Sequence, residues 1–345
     1  MPETGLRPVL SATIFTSNLD HSIRVYDEHL NLSQYASSEV SPEIAARWHC
    51  PALAGAPQTW LQNQLGEPWL RIIESEHAGQ IDPFRHTGWL SLEISVRDTD
   101  ALLDVLRDSP FEVIGEPANL ELSDAIRAMQ VKGPSAEVLY LTEVKAEVPP
   151  FELPFARCEV DRLFIPVLLS SNRDTAMDFY EKLAGVQSMK FDTRVTVINR
   201  ARGLPVETRH PIATLQLRGN SLIEIDQLQS LTRRETKKGY LPPGIALISF
   251  AVDQLPTGAD TYQVPDGPLA GHQAVLQTGA ADKLIELIEK PPHRKATKFQ
   301  HLKLDRRYRV CPWIECFSHK KYNLILLGQF FCPIIHHAEP RIQYV

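Results

Sequence analysis

Residues Val9–Ser17 interleave apolar with small polar positions and predict a strand, and a helix follows at once. Asn18 is a good N-cap, because its side-chain oxygen can accept from the free amides of the first turn. Beyond it Leu19, Ile23, Tyr26 and Leu30 recur at i, i+4, i+7 and i+11, one apolar stripe on a short helix. The pattern then returns. Asn172, Asp174 and Tyr180 keep the spacing of Asn18, Asp20 and Tyr26, and the second copy follows its own β-rich run, Leu163–Ser171.

The rest of the chain fills in around these two entries. Gln58–Gln64 and Trp69–Glu74 read as strands joined by a turn at Gly66. Gly88–Val96 alternates cleanly as a strand, Asp98 or Thr99 caps a helix over Asp100–Leu106, and Ala125–Lys132 with Glu137–Val144 makes a hairpin around Gly133-Pro134. Residues 34–57 show no clear period. Residues 1–144 thus form a first module that is itself a β-α-β-β half-unit used twice. Residues 145–159, with Pro149, Pro150 and Pro154, read as a linker. A second module, 160–290, repeats the order, with strands at Ile212–Gly219, Ser221–Ile225, Gly244–Val252 and Lys283–Glu289. Between Val252 and Ala274 its second helix is expected to be short or replaced by loop. Residues 291–345 fit neither repeat.

Composition narrows the function classes. No apolar run is long enough to span a bilayer, the first residues lack a signal-peptide pattern, and five scattered cysteines make no disulfide framework. A cytoplasmic location is expected. From Pro291 onward ten Lys/Arg face three Asp/Glu, a charge of 10 − 3 = +7, so the net −6 leaves −6 − 7 = −13 on residues 1–290. So acidic a body argues against nucleic acid as the partner. Cys311, Cys316, Cys332, His336 and His337 lie in the basic tail, at spacings off the paired pattern of structural zinc sites. No Gly-x-Gly-x-x-Gly, phosphate loop or Gly-x-Ser-x-Gly is present.

The tandem β-α-β-β-β repeats, the Asn-x-Asp…Tyr helix entry and the Gly-x5-Leu/Ile-x-Leu closing strand resemble the vicinal oxygen chelate superfamily of glyoxalase I, bleomycin resistance proteins and extradiol dioxygenases. The resemblance covers about residues 7–290 and implies an α+β fold whose repeats curl into two cup-shaped mixed sheets. It also implies a divalent metal on a cup floor, held by His or Gln from a first strand, Glu from a last strand and, in dioxygenases, a further His. Counted from the helix caps, those positions fall at Ser11, Trp89 and Tyr140 in the first module and at Ile165, Ile245 and Glu286 in the second. Only Glu286 among them binds metal well.

Strand parity puts Ser11, Thr13, Trp89, Ser91, Tyr140 and Thr142 on one face, the expected lining of a cup within the first module. Arg127 and Gln130 have opposite parity, so only one points inward; Arg127 would suit an acidic ligand. The leading reading is a small aromatic or carbonyl-containing metabolite bound in this cup, with the metal centre largely lost. Whether Tyr140 or Glu286 also moves protons is left open. The alternatives are a metal-dependent lyase, isomerase or dioxygenase using Glu286 with Fe, Mn, Ni or Zn, and a scaffold with filled cups. A monomer or homodimer is expected, without membrane partners.

Overall fold

The computed structural model describes residues 5–78 and 82–289. The tail beyond, with its cysteine and histidine cluster, lies outside the described residues. Four half-units follow one another. The first contains β1 (Leu6–Thr16), α1 (Leu19–Leu30), β2 (Ser33–Glu39), α2 (Pro42–Arg47), β3 (Pro57–Gln62) and β4 (Pro68–Glu74). β5 (Gly88–Val96), α3 (Thr99–Leu106), β6 (Glu112–Leu120), β7 (Ser123–Lys132) and β8 (Val138–Val144) make the second. In the third are β9 (Val160–Ser170), α4 (Arg173–Ala184), β10 (Met189–Arg194), α5 (Thr196–Arg202), β11 (Arg209–Leu217) and β12 (Ser221–Gln227). The fourth has strands only besides short 3-10 turns: β13 (Ile245–Val252), β14 (Tyr262–Gln263), β15 (Gln273–Thr278) and β16 (Leu284–Glu289).

Both helix entries form as the pattern predicts. Asn18 accepts from the His21 amide and Asn172 from the Thr175 amide, each at 2.9 Å. The missing helix of the fourth half-unit is replaced by loop and the two-residue strand β14, as the prolines and glycines there suggest.

The sheets pair the half-units crosswise. One sheet runs β14-β15-β16-β13-β1-β4-β3-β2, the other β10-β11-β12-β9-β5-β8-β7-β6. Its seam is the antiparallel pair β1–β13, and that of the second sheet is β5–β9. The first half-unit therefore joins the fourth, and the second joins the third. This corrects the expectation of a cup within residues 1–144: Ser11 and Thr13 belong to one sheet, and Ser91, Tyr140 and Thr142 to the other.

The two sheets turn one face each toward a shared core that holds the helix stripes. Tyr26 and Leu30 of α1, Leu102 and Leu106 of α3, and Met177 and Tyr180 of α4 all sit in it with strand residues from both sheets. The opposite faces are the cups, each with its own apolar cluster. The proline-rich segment 145–159 is held rather than free. The Glu152 amide donates to Gln216 at 2.9 Å, and Arg157 pairs with Asp161 at 2.6 Å. No helix among the described residues is long and apolar enough to cross a membrane.

Candidate functional site

The cup of the second sheet is open, enclosing a cavity of about 160 Å³. Phe151, Phe164, Phe191, Ile165, Ile212 and Leu222 give it apolar walls. Its floor is acidic. Glu93 stands on β5, where Thr142 of β8 donates to Oε1 at 2.7 Å. Glu224 and Asp226 sit two apart on β12 and so share a face. Burial pushes the Glu93 carboxyl up to about 8, the charge of Glu224 adds to this, and the Thr142 hydroxyl opposes it. Burial likewise lifts Asp226 to about 7, with Glu93 repelling it, and holds Glu224 well above the usual carboxylate range, reinforced by Asp226. Near neutral pH this floor is only partly ionised.

Several polar atoms here have no hydrogen-bond partner within the protein, namely the Tyr140 hydroxyl, Thr214 Oγ1 and Ser91 Oγ, while the Asp226 carboxyl bonds that of Glu224 only when one of the two carries a proton. Tyr140 is 8% exposed and Thr214 5%, and both line the cavity. Burial, then Asp226, Glu224 and Glu93, raise the Tyr140 phenol far above its ordinary value. Ser91 is close enough to oppose that rise, yet neither hydroxyl is aligned to bond the other. At the rim, Glu121 in the β6–β7 turn accepts from Thr193 Oγ1 at 3.3 Å and pairs with Arg194 and Arg209. This ties the tip of the second half-unit to the third across the mouth.

The cup of the first sheet is filled. The Arg71 guanidinium lies 4.6 Å from the Trp48 ring centroid and 5.1 Å from that of Trp60, and its Nε donates to Thr13 at 2.8 Å. Glu286, 3% exposed, accepts from Ser249 at 2.6 Å and from the Tyr262 hydroxyl. Burial and that carboxylate push the Tyr262 phenol up. A depression of about 280 Å³ beside β15 reaches only Tyr262 of this network, and the Arg47–Asp260 pair lies in its lining.

The predicted residues thus divide. Tyr140, Thr142 and Gln130 line the open cup, and Ser91 lies beneath Tyr140. Ser11, Thr13 and Glu286 belong to the filled one. Trp89 turns the other way: a register shift between Trp89 and Ser91 breaks the parity, and its ring joins the shared core 6.4 Å from Tyr180. Arg127 also faces away from the cup, bonding both oxygens of Asp100 at 2.7 and 2.8 Å. Gln130 is the inward member of that pair, in space that Gly115 leaves open: a Cβ there would lie 2.1 Å from Gln130 Oε1. Glu93, Glu224, Asp226 and Thr214 escaped the sequence reading. The signal was present, since a carboxylate inside an otherwise apolar strand, Leu92-Glu93-Ile94 or Ile223-Glu224-Ile225-Asp226, has the same setting as Glu286 in Leu284-Ile285-Glu286-Leu287.

The resemblance seen in the sequence implies a metal, and neither floor offers a fitting donor set. In the first cup Glu286 already serves two hydroxyls, and Arg71 supplies positive charge nearby. The second cup is lined by no imidazole or thiol. Among the described residues no three His, Cys, Asp or Glu side chains converge so as to hold a metal ion.

Two curled eight-stranded sheets built from four such half-units define the vicinal oxygen chelate, or glyoxalase, fold. Glyoxalase I from Zea mays matches with a TM-score of 0.54 at 14% identity, over 82% of this chain and 92% of that one. A protein of Bacillus subtilis subsp. subtilis str. 168, provisionally assigned as a dioxygenase, matches at 0.51 and 13%, over 84% and 86%. No family model matches the chain, and neither does any curated protein.

Proposed function

We propose that the chain binds a small aromatic or carbonyl-containing metabolite in the cup of the second sheet, without a resident metal. One contrast carries this reading. The first cup is plugged by Trp48, Trp60, Arg71 and Tyr262, whereas the second keeps an apolar-walled cavity into which buried, unpartnered hydroxyls of Tyr140 and Thr214 face. Apolar walls with a few directional polar groups are what small-molecule sites share. The test is thermal shift and calorimetry against aromatic and dicarbonyl metabolites, alongside metal analysis of the purified protein. Ala128→Trp, which fills the cup from β7, should abolish binding. Stoichiometric metal lost on Glu224→Gln or Glu286→Ala would overturn the metal-free reading.

Metal-independent proton transfer is a second reading, favoured by the titration of Glu93 and Asp226 near neutrality, where general acids and bases work best. It requires a bound carbonyl compound to exchange its α-protons with deuterated solvent, and Glu93→Gln to stop that exchange. A plain binder leaves the label unchanged.

A further inference from the structure

We infer that the ligand of the second cup is a small aromatic cation, an arylalkylammonium that seats its charge on Glu93 and Glu224, with Asp226 buried beside them. This rests on the binding function proposed for the same cup and narrows its ligand class. The charged groups around the floor are unbalanced. β5 contributes Glu93 and β12 contributes Glu224 to the lining, with the fully buried Asp226 two residues on from Glu224, while β7, β8 and β9 present uncharged Gln130, Tyr140, Thr142 and Ile165. Arg194 of β10 lines the cavity, but it is engaged at the rim by Glu207 at 2.8 Å and Glu121 at 3.6 Å. His210 of β11 bonds Asn199 at 2.6 Å, and burial, then Arg202, keep its imidazole neutral. Arg202 of α5 donates to the carbonyls of Phe84 and Gln229. Among the described residues no cation is left to answer these buried carboxyls.

The unpartnered atoms point the same way. An ammonium has three donors and no acceptor. The oxygens of Tyr140 and Thr214, each more than nine-tenths buried on the cavity wall, can accept from it. Aromatic walls attract a cation through their ring faces. An anion would meet desolvation and repulsion together.

Benzylammonium, benzyl alcohol and benzoate share one ring and differ in charge, so calorimetric titration of the full chain with all three separates the cases. Benzylammonium should bind about tenfold or more tightly than the alcohol, and benzoate not at all. Glu224→Gln should erase that preference. Affinity for benzylammonium should rise between about pH 6 and about pH 8, because the floor ionises in that window and the amine stays protonated. Equal or tighter binding of the alcohol or benzoate, weakened by Tyr140→Phe, overturns the charge inference and leaves the binding function standing. Binding of none of the three at millimolar concentration overturns both. Stoichiometric displacement of benzylammonium by Mn(II) or Zn(II) assigns the floor to a divalent ion instead. Should Glu224→Gln not fold, the wild-type pH series decides: affinity flat or falling with pH overturns the inference.

Discussion

At the scale of single residues, the two cups predict opposite costs for removing a polar group. The Tyr140 hydroxyl has no partner within the protein, so Tyr140→Phe should leave the melting temperature nearly unchanged. Ligand affinity should drop by about tenfold, the worth of one hydrogen bond. Glu286→Ala should do the reverse. It strips the partner from Ser249 and Tyr262 in a packed interior, so denaturant unfolding should show a loss of about 2–4 kcal/mol with second-cup binding intact. Protonation follows from the same burial. Glu93, Asp226 and Glu137 titrate at about 8, 7 and 7 in the folded chain, against roughly 4 for unfolded carboxyls. The folded state then holds more protons than the unfolded one, so their share of stability is complete below about pH 4 and is lost as pH rises through about 7 to 8. Melting temperatures between about pH 5 and about pH 8 should fall less steeply in Glu93→Gln than in wild type.

At the scale of elements, the crosswise pairing has consequences that a linear two-module chain would lack. Residues 1–144 alone expose β1 without β13 and β5 without β9, two long bare edges. Expressed separately, 1–144 and 160–290 should self-associate or aggregate, and mixing them should restore a one-to-one complex by light scattering. Two independent folded monomers would sink this account. The β6–β7 turn is clasped to the third half-unit by Glu121, which pairs with Arg194 and Arg209. Glu121→Gln should raise hydrogen exchange at 118–125 and speed ligand release, with little change in unfolding free energy. Elements were unevenly legible in sequence. Central strands such as β5 and β13 are buried at every position, and their apolar runs, broken in β5 only by Ser91, Glu93 and Ser95, mark them clearly. The edge strands β2 and β10 are largely exposed, and β2 reads Ser33-Gln34-Tyr35-Ala36-Ser37-Ser38-Glu39, so no alternation betrays it.

At the scale of the whole molecule, one core joins all four half-units, with Ile14, Trp89, Leu168 and Ile248 in the same apolar cluster. Calorimetry should therefore show a single unfolding transition for the body of the chain, and two resolved transitions would contradict a shared core. Local patterns were enough to determine the repeat, the capped helices, the α+β class and the acidic body, because each of these depends on neighbours a few residues apart. Which half-units share a cup was decided only by pairing β1 with β13 and β5 with β9, partners separated by more than sixty residues. Inward direction likewise depended on tertiary structure: one register shift turned Trp89 into the core, and the register of β7 on β8, with Gln130 opposite Tyr140 and Arg127 opposite Glu143, put Arg127 on the far face. Periodicity along a chain carries no term for strand partners or bulges, so it assigned the faces of strands but not which faces meet.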